Sequence, residues 1–150
     1  MVVRSQQQTI APATFMYMHD TYKLTDKEMH HVLALDGVQR LEHLIKRVAD
    51  WQSVWGLCSQ AGWVAGADDD ARRCFPIWPH PTYAEICAVD EWVGNAPTAI
   101  DIHAFTAKWL PNMEKDGLIL AVFPTPSDKA VFIEPSVFKE LLDDALSQYE

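Results

Sequence analysis

The amino-acid sequence predicts a single domain of the α+β class, with a mainly antiparallel sheet of about five strands and helices packed on it. One observation is a change of hydrophobic period. Before Ser53, apolar residues recur every three or four positions, as on one face of a helix. After Ser53 they occur in short runs that are typical of strands. A second observation is that short segments containing glycine, proline or aspartate separate the first apolar runs from one another. Such short separators are typical of hairpins. The 150 residues are enough to enclose one hydrophobic core.

Two helices open the predicted domain. The segment TDKE at residues 25–28 matches a capping box, in which a threonine caps the helix and a glutamate three residues later reaches back. This short helix ends before Gly37, and Asp36 with Gln39 caps the next one. The second helix is predicted from apolar residues spaced i, i+3, i+4 and i+7, namely Leu41, Leu44, Ile45 and Val48.

Three strands follow in the predicted order. SVWGLC (53–58) and GWVAGA (62–67) flank a turn, and RRCFPIW (72–78) lies beyond an aspartate-rich loop. Pro76 interrupts the third strand. Because proline has no N–H group to donate to a neighbouring strand, it predicts an edge position or a bulge.

The next segments return to helical signals. A helix is predicted from Pro81, and Asp101 caps another helix that Pro111 ends or kinks. LILAVF (118–123) is apolar at every position, which predicts a central strand covered on both faces.

The chain ends with a strand, KAVFIE (129–134), and a helix that begins at Pro135. Residues 63–92 and 118–146 therefore show the same order of two strands, a proline and a helix. This similarity suggests a duplicated β-β-α unit.

The N-terminal residues differ in composition from the rest. Residues 1–20 are polar and interrupted by proline, which predicts a mobile extension before a single domain at residues 21–150. They contain neither the continuous apolar core nor the cleavage site of a signal peptide. Three cysteines without framework-like spacing favour a reducing compartment, so a cytoplasmic location is predicted.

The charge balance constrains the partners. The chain has 21 aspartate and glutamate residues against 12 lysines and arginines, which gives a formal net charge of −9. Such a surface is repelled by phosphate backbones and anionic lipids, which predicts that neither nucleic acid nor a membrane is a partner. A protein with a basic surface suits it better.

Catalytic and metal-binding motifs are absent from the sequence. Cys74, His80 and Cys87 are separated by gaps of five and six residues, unlike the close ligand pairs of structural zinc sites. The sequence has no phosphate-binding loop, no dinucleotide fingerprint and no zinc-protease or nucleophile-elbow motif. We therefore predict no metal, no cofactor and no catalytic residues, and the sequence favours a protein that is not an enzyme.

An unusual concentration of aromatic residues and prolines lies at the predicted junction of the third strand with its helix. We call five of these residues the aromatic corner: Phe75, Trp78, His80, Tyr83 and Trp92. They suit either the packing of a rigid strand-to-helix corner or an aromatic-lined binding groove. Replacing Trp78 and Tyr83 with alanine distinguishes the two interpretations. If they line a binding groove, the fold should stay intact while partner binding is lost. If they pack the corner, the fold itself should be lost.

Three segments resemble a bacterial family catalogued as domain of unknown function 2750. They are VADWQSVWGLCSQAGWVAG, FPIWPHPTYAEICAVDEW and IDIHAFTAKWLPNMEKDGLILAVFPTPSDKAVFIEP. The resemblance covers about residues 24–150, and its most specific parts are WP at 78–79 with Ala84, WLP at 109–111 and FPTP at 123–126. It implies a small bacterial cytoplasmic domain and brings no established activity or catalytic residues.

Three functions remain open from the sequence. The favoured one is a non-catalytic protein-interaction module with an acidic surface, whose contact is the aromatic corner. The second is a small enzyme with a site assembled from dispersed residues, namely His80, Glu85, Asp101 and His103. The third is a homodimer that associates through a sheet edge or a tryptophan patch.

Overall fold

A computed structural model describes residues 21–148, so the predicted N-terminal extension lies outside the described residues. The α-helices of this part are Asp26–Leu33 (α1), Gly37–Trp51 (α2), Pro81–Ile86 (α3), Ile102–Ala104 (α4), Leu110–Asp116 (α5) and Pro135–Ser147 (α6). The strands are Ser53–Ser59 (β1), Gly62–Trp63 (β2), Gly66–Ala67 (β3), Arg73–Ile77 (β4), Ala96–Asp101 (β5), Ile119–Val122 (β6) and Val131–Ile133 (β7). A 3-10 turn spans Asp90–Trp92, and a π-helical segment spans Phe105–Trp109.

The predicted α+β class is confirmed, but the strands form two sheets rather than one. The first sheet has the order β2-β1-β5, and the second has the order β3-β4-β6-β7. Between residues 21 and 148, every strand pairing except that of β4 with β6 is antiparallel. The prediction of a mainly antiparallel arrangement therefore holds, with more and shorter strands than expected.

Two differences explain the larger number of strands. GWVAGA is not one strand, because Gly62–Trp63 pairs with β1 whereas Gly66–Ala67 pairs with β4 in the other sheet. β5 was missed, since its sequence APTAID combines a proline with small and polar residues and has no clear alternation. Six residue pairs with β1 hold it in place, and such pairing between distant segments leaves no local signal.

Pro76 lies in an interior strand, so the prediction of an edge position or a bulge was wrong. On one side of β4, Cys74 pairs with Gly66 of β3, and Trp78 pairs with Trp55 of β1. Backbone N–H groups of alternate residues point to the same side of a strand. Pro76 falls between these two partners, where no strand needs its missing N–H group.

The two predicted β-β-α units are not equivalent in the structure. In the first unit the strand before the helix is β4, which lies between β3 and β6. In the second unit the corresponding strand is β7, which lies at the edge of the same sheet. The helices also differ, since α3 packs against β1 and β5 whereas α6 packs against α2 and α5.

Pro111 was predicted to end or kink its helix, and it does not end it. The helical path runs through α4, the π-helical segment and α5, and Pro111 is in the first turn of α5. Proline lacks an N–H donor, and its ring collides with the carbonyl group four residues earlier in an α-helix. The wider π-helical turn just before it relieves this conflict. No helix between residues 21 and 148 is long and apolar enough to cross a membrane.

Trp55 and Trp78 connect the two sheets at the centre of the core. Their backbones exchange two hydrogen bonds, Trp55 N to Trp78 O at 2.9 Å and Trp78 N to Trp55 O at 2.8 Å. Both side chains are fully buried. A single pair of residues therefore provides backbone continuity and two of the largest side chains of the core.

Replacing Trp78 with alanine should lower the free energy of unfolding by about 3–5 kcal/mol, because it removes a fully buried indole at the junction of the sheets. Urea unfolding followed by circular dichroism measures this. Trp51→Ala is the matched control, since Trp51 is 37% exposed and its loss should cost about 1 kcal/mol. Equal small losses in both variants would contradict the assignment of Trp78 to the core.

Candidate functional site

An open groove of about 730 Å³ lies beside the aromatic corner. Residues 87 and 89–92, which follow α3, form one wall. Residues 124–129, which connect β6 to β7, form the other wall, and we call them the proline loop. Of the five residues of the aromatic corner, Trp92 is the one that lines this groove.

The proline loop is closed by a tight turn. Thr125 N donates to Asp128 O at 3.0 Å, and Asp128 N donates back to Thr125 O at 3.4 Å. Pro126 occupies the second position of this turn, where its fixed φ angle is favourable. The Thr125 side chain is buried beneath the turn. This wall of the groove is therefore held by local hydrogen bonds as well as by tertiary contacts.

Arg40 of α2 anchors the proline loop from below. Its side chain is fully buried, and its Nε donates to Phe123 O at 3.0 Å. Nη2 donates to Lys129 O at 2.8 Å, and Nη1 donates to Asp128 Oδ2 at 3.1 Å and to Leu35 O at 2.7 Å. One guanidinium group therefore binds the residue before the loop, the last residue of the loop and the Asp128 carboxylate.

Two residues at the groove have a strained backbone conformation. Phe123, the residue just before the proline loop, has a φ angle of 54°, and Asp90 in the opposite wall has a φ angle of 55°. A positive φ is unfavourable for any residue except glycine, and it is rare for a bulky aromatic residue. Phe123 is held in this conformation by hydrogen bonds on both sides, from its N–H to Ile77 O at 2.9 Å and from Arg40 to its carbonyl.

The carbonyl group of Pro124, at the start of the proline loop, is bonded to residues of the strand-to-helix segment. Trp78 Nε1 donates to this oxygen at 2.9 Å, and Cys87 Sγ lies 3.4 Å from it. Trp92 packs edge-on against Trp78, with ring centroids 6.2 Å apart, and contributes to the groove wall. Burial raises the pKa of the Cys87 thiol to about 11, so at neutral pH it acts as a weak donor rather than a nucleophile.

The charges around the groove are unequally compensated. Asp128 is paired with Arg40, and Lys129 is paired with Asp69 at 2.9 Å. Asp90 and Glu91 are exposed, and neither has an ion-pair partner among residues 21–148. The groove therefore presents two free carboxylates beside an indole ring and two prolines.

The structure encloses most of the aromatic corner. Phe75, Trp78 and Tyr83 are at most 1% exposed, and His80 is 7% exposed. These four residues are packed within the strand-to-helix corner. Trp92 is half-buried and does line the groove, so it alone of the five offers surface to a partner.

His80 is the N-cap of α3, and both of its ring nitrogens are used. Nδ1 accepts the N–H of Thr82 at 3.1 Å, and Nε2 lies 2.9 Å from Tyr22 O, to which it donates in the neutral tautomer. Burial lowers the pKa of His80, and the hydrogen bond to Tyr22 opposes that shift. These contacts give His80 a structural role at the start of the helix.

The dispersed catalytic set is not brought together around a cavity. His80 is buried, whereas Glu85, Asp101 and His103 are exposed, and none of the four lines either pocket described for residues 21–148. Asp101 is used as a helix cap, because its Oδ2 accepts the N–H groups of His103 and Ala104.

The structure also shows where the candidate metal ligands lie. Within the described part of the chain, no three histidine, cysteine, aspartate or glutamate side chains lie together in a way that could hold a metal ion. Cys58, Cys74 and Cys87 are separate, buried, free thiols. Burial raises the pKa of each, which disfavours the thiolate forms that bind metal.

Comparison with known families decides the relationship of the chain. The family described as "Protein of unknown function (DUF2750)" matches residues 41–142, more than half of the chain. The chain belongs to this family. The resemblance noted from the sequence is thereby confirmed over a shorter range than expected. Searches of curated proteins and of solved structures gave no match.

The DUF2750 match includes both walls of the groove, and Arg40 lies one residue before it. Sequence reasoning missed Arg40 and Asp128 altogether. A signal for Arg40 was present, because it precedes Leu44 by four residues and Val48 by eight, which places a cation on the buried face of α2. No comparable signal pointed to Asp128, whose partner is 88 residues away.

The lowered pKa of His80 predicts acid sensitivity. Because the folded state favours the neutral ring, its contribution to stability is complete above the unfolded pKa of about 6.5 and is lost as the pH falls through the lower folded pKa. His80→Asn should keep a helix cap and reduce the loss of unfolding free energy between about pH 7 and 5. Urea unfolding across this range measures the slope.

Part of the slope should remain in that variant, because burial also lowers the pKa of His43. His103→Asn, at an exposed position, is the control for the substitution itself. An unchanged slope in His80→Asn would show that His80 does not titrate as its burial requires.

Proposed function

We propose that this protein is a non-catalytic interaction module whose groove binds an extended, basic segment of a partner protein. The observation that carries this proposal is the combination of two uncompensated carboxylates, Asp90 and Glu91, with the apolar surface of Trp92 and the proline loop. Lysine and arginine side chains have an apolar stem and a cationic end. A groove with both kinds of surface side by side suits them.

The chemistry of the groove favours a cation next to an aromatic ring. Trp92 can contact an ammonium or guanidinium group through its ring face, while Asp90 or Glu91 provides the opposite charge. Val89, which is 51% exposed in the same wall, offers apolar contact for a neighbouring residue of the segment. The ligand we propose therefore alternates basic and apolar side chains.

The groove is held by hydrogen bonds in a fixed shape, which supports its use as a binding site. Arg40 and the turn at Thr125–Asp128 fix the proline loop, and the bond from Trp78 to Pro124 holds its first residue. A preformed site loses little conformational entropy when a ligand binds. The buried members of the aromatic corner thus act as supports beneath the contact surface, in place of the direct contacts expected from the sequence.

We place the module in the cytoplasm. Three free thiols, at Cys58, Cys74 and Cys87, are buried in separate parts of the structure, and such cysteines are typical of a reducing compartment. The formal net charge of −9 also favours basic partners and disfavours nucleic acid.

The test uses two capped hexapeptides, one of alternating arginine and leucine and one of alternating glutamate and leucine, titrated into the full-length protein. Binding of the basic peptide should shift backbone NMR signals of residues 89–92 and 124–129. Asp90→Asn combined with Glu91→Gln should weaken it about tenfold, because two charge pairs of about 0.7 kcal/mol each are lost.

The matched control removes two carboxylates elsewhere, by Asp116→Asn with Glu140→Gln, and should leave the affinity unchanged. Both control residues are exposed and lie outside the groove. Equal weakening in both double variants would mean that net charge alone attracts the peptide. That result, or equal binding of the acidic peptide, or no binding of the basic peptide, would overturn the proposal.

A further inference from the structure

A second surface, separate from the groove, consists of the outer sides of α2 and α6. Apolar and charged residues of the two helices enclose a shallow cleft of about 650 Å³, which we call the α2–α6 cleft. Val38 at its edge is 61% exposed, and Leu141 on the facing helix is 42% exposed. Val137, one turn before Leu141, is 46% exposed. Large apolar side chains are thus concentrated here on a protein with a formal net charge of −9.

The cleft exists because α2 is apolar on more than the side that faces the core. Leu44 and Val48 are fully buried beneath the helix. Leu41 and Ile45, predicted with them as one buried stripe, are half-buried and line the cleft instead. A helix face of this kind is stable in water when another surface covers it.

We infer that a second copy of this chain covers the α2–α6 cleft, with the two α2 helices antiparallel across a two-fold axis. The charges at the cleft carry this choice of occupant. Glu42 and Lys46 lie one turn apart on the same helix and both line the cleft. Antiparallel pairing about an axis near the middle of α2 places Lys46 of each copy against Glu42 of the other. A symmetric interface requires such self-complementarity.

The apolar side chains agree with the same pairing. An axis near the middle of α2 brings Leu41 and Ile45 of each copy, which are half-buried and line the cleft, toward the same residues of the other copy. Burial of this apolar surface favours association. Asp144, on the α6 side of the cleft, provides a further carboxylate for the incoming Lys46.

The net negative charge of the chain explains why the α2–α6 cleft is a favourable place for self-association. Two copies with a net charge of −9 each repel one another over most orientations. In the cleft, Lys46 offsets one of the two carboxylates, Glu42 and Asp144, and apolar side chains occupy much of the rest. The inference is independent of the proposed function, since the peptide groove has no residue in common with the cleft.

Sedimentation equilibrium of the full-length chain tests the inference. At about 100 μM the mass should approach twice the 17.0 kDa of one chain. Val38→Asp and Leu141→Asp should each weaken dimerisation at least about tenfold, because each places a charge in an apolar contact. Val93→Asp is the matched control, since Val93 is 70% exposed outside the cleft, and its dimer should match that of the unmodified protein.

A charge exchange makes the test specific for a second copy. Lys46→Glu alone should weaken the dimer about fivefold, because it opposes like charges twice across the axis. Glu42→Lys combined with Lys46→Glu should restore the original affinity to within about twofold, since both partners change together.

A monomer at all concentrations would overturn the inference, and would leave residues 1–20 or another protein as the occupant of the cleft. A dimer that is insensitive to Val38→Asp and Leu141→Asp would also overturn it, because the contact would then lie elsewhere. Failure of the charge exchange to restore affinity would contradict the antiparallel pairing of α2.

Discussion

The buried guanidinium group of Arg40 is the interaction on which the candidate site depends. It lies under the connection between β6 and β7, where it donates to the carbonyl groups of Leu35, Phe123 and Lys129 and to the carboxylate of Asp128. Burial of a cation costs several kcal/mol unless its donors are satisfied. Four acceptors in a fixed arrangement meet that requirement, and lysine cannot reproduce it because its ammonium group lacks the planar fork. The position of the proline loop therefore follows from one side chain of α2.

The same interaction compensates the backbone strain next to the loop. Phe123 has a positive φ angle, a conformation that costs about 1–3 kcal/mol for a residue other than glycine. Its N–H bonds to β4 and its carbonyl group bonds to Arg40, so the strained residue is fixed from both sheet and helix. The Trp78 indole then binds the next carbonyl group, that of Pro124. A continuous series of contacts thus runs from α2 through the proline loop to the junction of the two sheets.

Local signals in the sequence were sufficient for much of the fold. The caps at Asp36 and Asp101 form as predicted, since each depends on residues only two or three positions away. β5 and the anchoring role of Arg40 could not be predicted in this way, because they depend on partners far along the chain. The aromatic corner shows the same limit. Composition indicates bulky residues at a junction, but it does not specify which of their surfaces face solvent, and the groove is lined by Trp92 with its acidic neighbours instead.

Amide hydrogen exchange in the unmodified protein and in Arg40→Lys tests the central claim most directly. The N–H groups of Phe123 and Thr125 are both hydrogen-bonded within the anchored segment. If Arg40 holds this segment, their protection should fall by at least about tenfold in the variant, while that of the Val48 amide in α2 falls much less. Unchanged protection at Phe123 and Thr125 would contradict the claim that the groove depends on Arg40. An equal loss at all three amides would also contradict it, because Arg40 would then support global stability alone.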